Sequence, residues 1–279
     1  MSARGGVAAH LAVLVLLAGL GALLPGYHAS NLARIMVLAV FAMGYNLAFG
    51  YTGLLSLGHA LFFAAGLYAA GLLAQAGWPG IATLPAGIVA GGALAALVGL
   101  LALRTTGVAF MIVTLMFAQA GYLTILYFGT LTRGDEGFTI ARAARALGPL
   151  DLTADGPRYA VALALFAVGL LVSLAVVRSP TGRVLVAVRE NPERTRMLGY
   201  DPFRIRLLAL VLSGLYAGAA GASYALLFGY VGAGFASVQY SVLPLLWVVP
   251  APPSSTQSSG RTEYCTEAKP APTYPKRSA

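Results

Sequence analysis

Few side chains in this 279-residue chain could do chemistry, and their types and spacing narrow what that chemistry is. His59 sits inside an apolar run, at the end of Leu54-Leu55-Ser56-Leu57-Gly58-His59. An ionisable side chain in such a setting marks a pathway or gate contact by default. The alternative is a structural histidine, satisfied by Ser56 or a backbone carbonyl. His10 and His28 are scattered, so no metal-ligand spacing exists, and the single cysteine, Cys265, excludes a disulfide framework. Neither H-E-x-x-H nor G-x-x-x-x-G-K-[ST] occurs, and the second cannot occur before Lys269, the first lysine. The chain therefore carries no ATP-cradling loop of that type, and no cofactor or metal is expected. No nucleophile, base and oxyanion donor converge, which argues against an enzyme.

Polar chemistry concentrates instead in one segment, Arg178 to Arg206, with seven arginines against Glu190, Glu193 and Asp201. Asn191-Pro192 and Asp201-Pro202 each place a capping side chain directly before a proline suited to a first helical turn. Gly199 can close the short helix predicted over Pro192–Leu198. The segment reads as a compact basic helix-turn-helix that a soluble partner could grip. The plainer alternative is a solvated loop that only fixes topology.

The elements holding these residues are set by composition: 58% hydrophobic, 10% charged. An ordinary soluble domain of this length could not solvate such a surface, so the fold class is an all-α polytopic transmembrane helix bundle in a lipid bilayer. Apolar runs predict seven spans: Val7–Leu24, Ile35–Phe49, Gly53–Leu73, Ile81–Leu103, Gly107–Phe128, Tyr159–Val177 and Leu207–Tyr230. An eighth begins after Phe235. The second run is short, and only Gly50-Tyr51-Thr52 separates it from the third, which predicts a broken or re-entrant helix near residues 46–60. An ion-coupled secondary transporter, the alternative class, would use charged groups within spans as relays, and the runs hold no Asp, Glu, Lys or Arg and offer only His59.

With the 178–206 loop inside, Arg4 and Arg104 are inside too, and Arg34 and the loop 129–158 are outside. Nine inner arginines then face five outer ones, which puts the N-terminus in the cytoplasm. Positive charge is thereby explained by topology, and no nucleic acid is implied. Small residues at helical spacing, Gly87, Gly91, Ala95 and Gly99 on one run and Gly214, Gly218 and Ala222 on another, predict close helix packing, with a moving gate as the alternative.

The run Asn46-Leu47-Ala48-Phe49-Gly50-Tyr51-Thr52-Gly53-Leu54-Leu55-Ser56-Leu57-Gly58-His59-Ala60 closely resembles the signature of branched-chain amino acid ABC-transporter permeases of the LivM-like type. Arg104-Thr105-Thr106-Gly107-Val108 with Val113-Thr114-Leu115 is similar to a second family segment. Ser179-Pro180-Thr181-Gly182-Arg183, Ala187-Val188-Arg189-Glu190-Asn191 and Leu198-Gly199-Tyr200 resemble its cytoplasmic coupling loop, and Ser213-Gly214 through Tyr224-Ala225 the helix after it. The matches run in order from about Asn31 to Val249.

The resemblance implies a permease with a second permease subunit, two cytoplasmic ATPase subunits and a periplasmic substrate-binding protein as partners, in the bacterial inner membrane. It implies that Gly182, Arg183, Arg189, Glu190, Asn191, Arg194, Arg196 and Gly199 form the ATPase-coupling loop, with Arg189, Glu190, Arg194 and Arg196 making polar contacts. Asn46, Gly50, Thr52, Gly53, Ser56, Gly58 and His59 would line the translocation pathway or the permease interface. Relatives with such signatures are associated with branched-chain amino acids, urea or short amides. Domain organisation follows from a change at Pro250: residues 1–249 read as the permease domain, and residues 250–279, with both lysines and six of the fifteen prolines, as a disordered non-family tail on a truncated permease.

Overall fold

The structure, a computed structural model, describes residues 3–23, 25–147 and 150–248; the expectations for residues 250–279 lie outside them. Helices dominate. α1 (Ala3–Leu23) and α2 (Gly26–Asn46) meet at Pro25, and α2 passes into a π-helical turn, Leu47–Tyr51. α3 (His59–Gln75), α4 (Gly80–Ala102), α5 (Val108–Tyr127) and the one-turn α6 (Gly129–Thr132) follow. α7 (Asp155–Arg178) leads into three proline-initiated helices, α8 (Pro180–Glu190), α9 (Pro192–Met197) and α10 (Pro202–Phe228), and α11 (Val238–Val248) closes the described chain. The strands are two-residue pairs; one of them joins Phe138 to Val231 across the chain.

Among the described residues, five helices are long and apolar enough to cross a membrane: 26–51, 80–102, 108–127, 155–178 and 202–228. The other expected spans, Val7–Leu24, Gly53–Leu73 and the eighth after Phe235, fall on shorter apolar helices at 10–21, 59–75 and 238–248. Two boundaries differ from the sequence reading for identifiable reasons. The second run is not short, because α2 begins at Gly26 and takes in polar His28, Asn31 and Arg34, so Arg34 lies on a helix rather than in a loop. The third run loses its first turn and a half, because residues 53–58 leave the helical path and α3 starts only at His59.

α10 is the hub of the bundle, with its small-residue stripe laid against α4. A Cβ added at Gly91 would fall 2.6 Å from the Gly218 Cα, and one added at Gly218 would fall 2.7 Å from the Gly87 carbonyl oxygen. Backbones that close leave room for hydrogen alone, so the stripe is a packing seam. Aromatic residues fill the space between α2, α3, α10 and α11, where Phe41, Phe63, Tyr224, Phe235 and Tyr240 contact one another ring to ring. Outward, large apolar side chains such as Val89, Ile112, Met116 and Leu171 stand exposed, which suits a surface solvated by lipid.

At the bundle end away from α8 and α9, arginines cap backbone carbonyls, and Arg158 also pairs with Asp155 at 3.2 Å. The Arg145 guanidinium donates to the carbonyls of Leu226 (2.9 Å) and Leu227 (2.5 Å), at the negative end of the α10 dipole. Arg158 donates to Thr153 O and to Ser30 Oγ, tying the loop before α7 to α2. The Arg34 guanidinium lies over the ring of Phe228, 4.9 Å from its centroid.

Candidate functional site

The α7-to-α10 loop is built from its caps. Ser179 accepts a hydrogen bond from Gly182 N, and Pro180 occupies the first turn of α8. Gly182 is pressed against α7 so closely that a Cβ would sit 2.6 Å from the Val176 carbonyl oxygen, which makes the reversal between the helices sharp. Leu185 and Val188 are fully buried and anchor α8 to the bundle, while Arg183, Arg189 and Glu190 are on its exposed side. Asn191 Oδ1 accepts from Arg194 N at 3.0 Å, and the Thr195 hydroxyl returns to Asn191 O at 2.9 Å. Gly199 takes φ +88°, and Tyr200 N reaches back to Thr195 O, a left-handed closure that a side chain would strain. Asp201 Oδ1 caps α10 through Phe203 N.

The helix expected over Pro192–Leu198 is present as α9, and its exposed surface holds more than charge. Arg196 and Glu193 pair at 3.5 Å on the solvent side, a weak contact at 67% and 72% exposure. Met197 and Leu198 are 84% and 74% exposed, with Tyr200 beside them. The sequence reading named Leu198 and Tyr200 within the loop but not their exposure, and it did not name Met197. Their signal was an apolar pair immediately before the closing glycine, where a solvated loop has no use for it.

The signature segment lies directly above this loop. Its backbone leaves the helical path after Thr52, and several of its N–H groups find partners. Gly53 N donates to Phe49 O and Leu54 N to Ala48 O, and the Thr52 hydroxyl also turns back to Ala48 O. Leu57 N donates to Thr114 Oγ1 at 3.2 Å, Gly58 N to Ser56 Oγ at 3.3 Å, and Ala60 N to Ser241 Oγ at 3.0 Å. Irregular backbone survives at such depth only when protein satisfies it. Here α5 and α11 do so. Gly58 touches the Thr114 carbonyl, where a Cβ would sit at 2.5 Å.

His59 is fully buried, and its partner is Ser213, not Ser56. The Ser213 hydroxyl donates to Gly44 O at 2.5 Å, which leaves His59 Nε2–H to donate to Ser213 Oγ at 2.7 Å. One hydroxyl thus joins α2, α3 and α10. The opposite nitrogen, Nδ1, and the Tyr45 hydroxyl are buried without hydrogen-bond partners among the described residues, and the rings of Tyr45 and His59 meet edge-on, centroids 5.0 Å apart. Asn46 opens onto an apolar groove of about 470 Å³ between α2 and α11, lined also by Leu38, Ala42, Met43, Trp247 and Val248.

Three stretches far apart in the chain therefore converge: the 46–60 run, Thr114 on α5 and Ser213 on α10. The two groups of candidate residues also meet, because the Arg189 guanidinium donates to the Gly50 carbonyl.

Comparison with known proteins places this arrangement. Residues 27–251 match the family described as branched-chain amino acid transport system / permease component. The chain belongs to that permease family. Over 221 residues the permease is 32% identical to the high-affinity branched-chain amino acid transport system permease protein LivM of Escherichia coli (strain K12), and 31% identical to the LivM of Salmonella typhimurium (strain LT2). Each match covers 70% of this chain and 52% of the relative, so the chain spans about half the length of these curated relatives. No solved structure matches it at a significant level. With five helices of spanning length, the permease is a multi-pass membrane protein.

Proposed function

We propose that this permease is the transmembrane subunit of an ABC importer for branched-chain amino acids, and that it converts ATP hydrolysis by partner ATPase subunits into alternating access. The observation that carries the reading is the built and exposed α9: a helix too short to persist alone, closed by Asn191 and Gly199, presenting Met197, Leu198 and Tyr200 among charged residues. Such a tip fits a cleft on a soluble motor. Glu190, Arg194 and Arg196 supply its polar contacts, and Arg183 flanks it on α8. Similarity to LivM supports the substrate class.

The assembly comprises a second permease subunit, two cytoplasmic ATPase subunits and a periplasmic binding protein in the bacterial inner membrane. The arginine balance supports an N-terminus in the cytoplasm. The buried segment 52–59 lies at the translocation pathway or the interface with the partner permease, since an irregular stretch held by side chains from three helices can rearrange without exposing a helix backbone to lipid. The reading is tested by ATP-dependent uptake of radiolabelled leucine into cells or proteoliposomes holding the assembled transporter. Uptake is expected to require this chain and to be inhibited by isoleucine and valine. Uptake of urea or short amides instead would reassign the substrate, and uptake driven by an ion gradient without ATP would overturn the reading.

A further inference from the structure

Arg189 belongs to the coupling loop by sequence, but its exposed side chain reaches across to the 46–60 segment. The aliphatic stem lies over Gly53, where an added Cβ would meet the Arg189 Cγ at 3.3 Å, and the guanidinium ends on the Gly50 carbonyl. That carbonyl sits in the last turn of the α2 unit. The N–H groups of Thr52, Gly53 and Leu54 fold back to Phe49, Phe49 and Ala48 and pass Gly50 by. A helix C-terminus with an open carbonyl attracts a cation through both the lone pair and the dipole. Gly53, at φ +71°, gives the chain its turn out of the helix and leaves space for the arginine stem. Beneath Arg189, the buried Leu185 and Val188 fix α8 to the bundle, and α9 follows after a single residue.

We propose that Arg189 is the positioning residue through which the coupling loop controls the break between α2 and α3, a latch within this chain and not a contact to the motor. The latch rests on the importer reading for its purpose: a push on α9 turns α8, withdraws the guanidinium from Gly50 and frees residues 52–58. Within that segment Leu57 N donates to Thr114 Oγ1 on α5, and just beyond it Ala60 N donates to Ser241 Oγ on α11. Release at Gly50 therefore loosens the end of the segment that Arg189 reaches, and Thr52, 3% exposed here, becomes accessible.

The test uses the full chain in native membranes, with Cys265→Ser and a single reporter Thr52→Cys, and a small polar maleimide as probe without nucleotide. Arg189→Gln should raise the labelling rate about fivefold, the shift that loss of an exposed charge-assisted contact supports. Arg189→Lys, keeping stem and charge but losing the planar fork, should fall between. Where the importer is assembled, Arg189→Gln should leave ATPase co-purification intact while ATP hydrolysis no longer scales with leucine uptake. Labelling equal to wild type in Arg189→Gln overturns the latch, whether or not uptake falls. Should that variant fail to accumulate, wild-type labelling in Arg189→Lys overturns it equally. Absence of ATP-driven leucine uptake by the wild type would refute the importer reading alone, because the labelling comparison needs neither nucleotide nor substrate.

Discussion

Ser213 shows how much one hydroxyl can hold. Replacing it by Ala removes the donor to Gly44 O and the acceptor for His59 in the same stroke. Hydrogen bonds between membrane helices average about 0.6 kcal/mol, but two orphaned buried groups raise the expected loss to about 1–2 kcal/mol. Ser213→Ala should thus melt several degrees lower in detergent, and an unchanged melting curve would remove the three-helix junction. His59→Phe separates the two roles of the histidine. Phe41, Tyr45 and Phe62 already surround the ring, and the Ser213–Gly44 bond survives the change. Retained stability with lost uptake would assign His59 to the pathway; retained stability with normal uptake would leave it a packing residue.

The α4–α10 seam and the α9 cap test the elements. Gly91→Leu must push a side chain into the Gly218 backbone, so the helices separate and the protein is expected to aggregate on extraction. Gly19→Leu is the control, because nothing lies within 4 Å of a Cβ there, and it should behave as wild type. If the two variants are equally monodisperse, the seam is not what joins the helices. In α9, Asn191→Ala removes the bond to Arg194 N and should cost about 1 kcal/mol of local helix stability. Faster proteolysis between Arg189 and Arg196 with an intact remainder would register it.

For the whole molecule, coupling is separable from assembly. Gly199→Val strains the left-handed closure, while Glu190→Lys and Arg194→Glu reverse charge at an exposed tip without touching the core. Each variant should insert normally, and leucine uptake and transporter-stimulated ATP hydrolysis should fall together, as measured on matched amounts of membrane protein. Normal uptake in all three would withdraw α9 from the coupling role.

Composition and local pattern determined the class of the molecule, the apolar runs, the break near residues 46–60 and the caps of α8, α9 and α10, since each depends on residues within a few positions of one another. Asn191, Gly199 and Asp201 act as their neighbours dictate. Span boundaries were less legible, because hydropathy ends a helix at its first polar residue, whereas α2 carries His28, Asn31 and Arg34 as ordinary helical turns. Only the tertiary structure decided that His59 is met by Ser213 across 154 residues and not by nearby Ser56, and that Arg189 reaches Gly50 across 139. Partner choice among buried polar groups is settled by which helices pack, and packing here follows backbone contact at glycines such as Gly91 and Gly218, for which spacing along the chain names the stripe but not the face it meets.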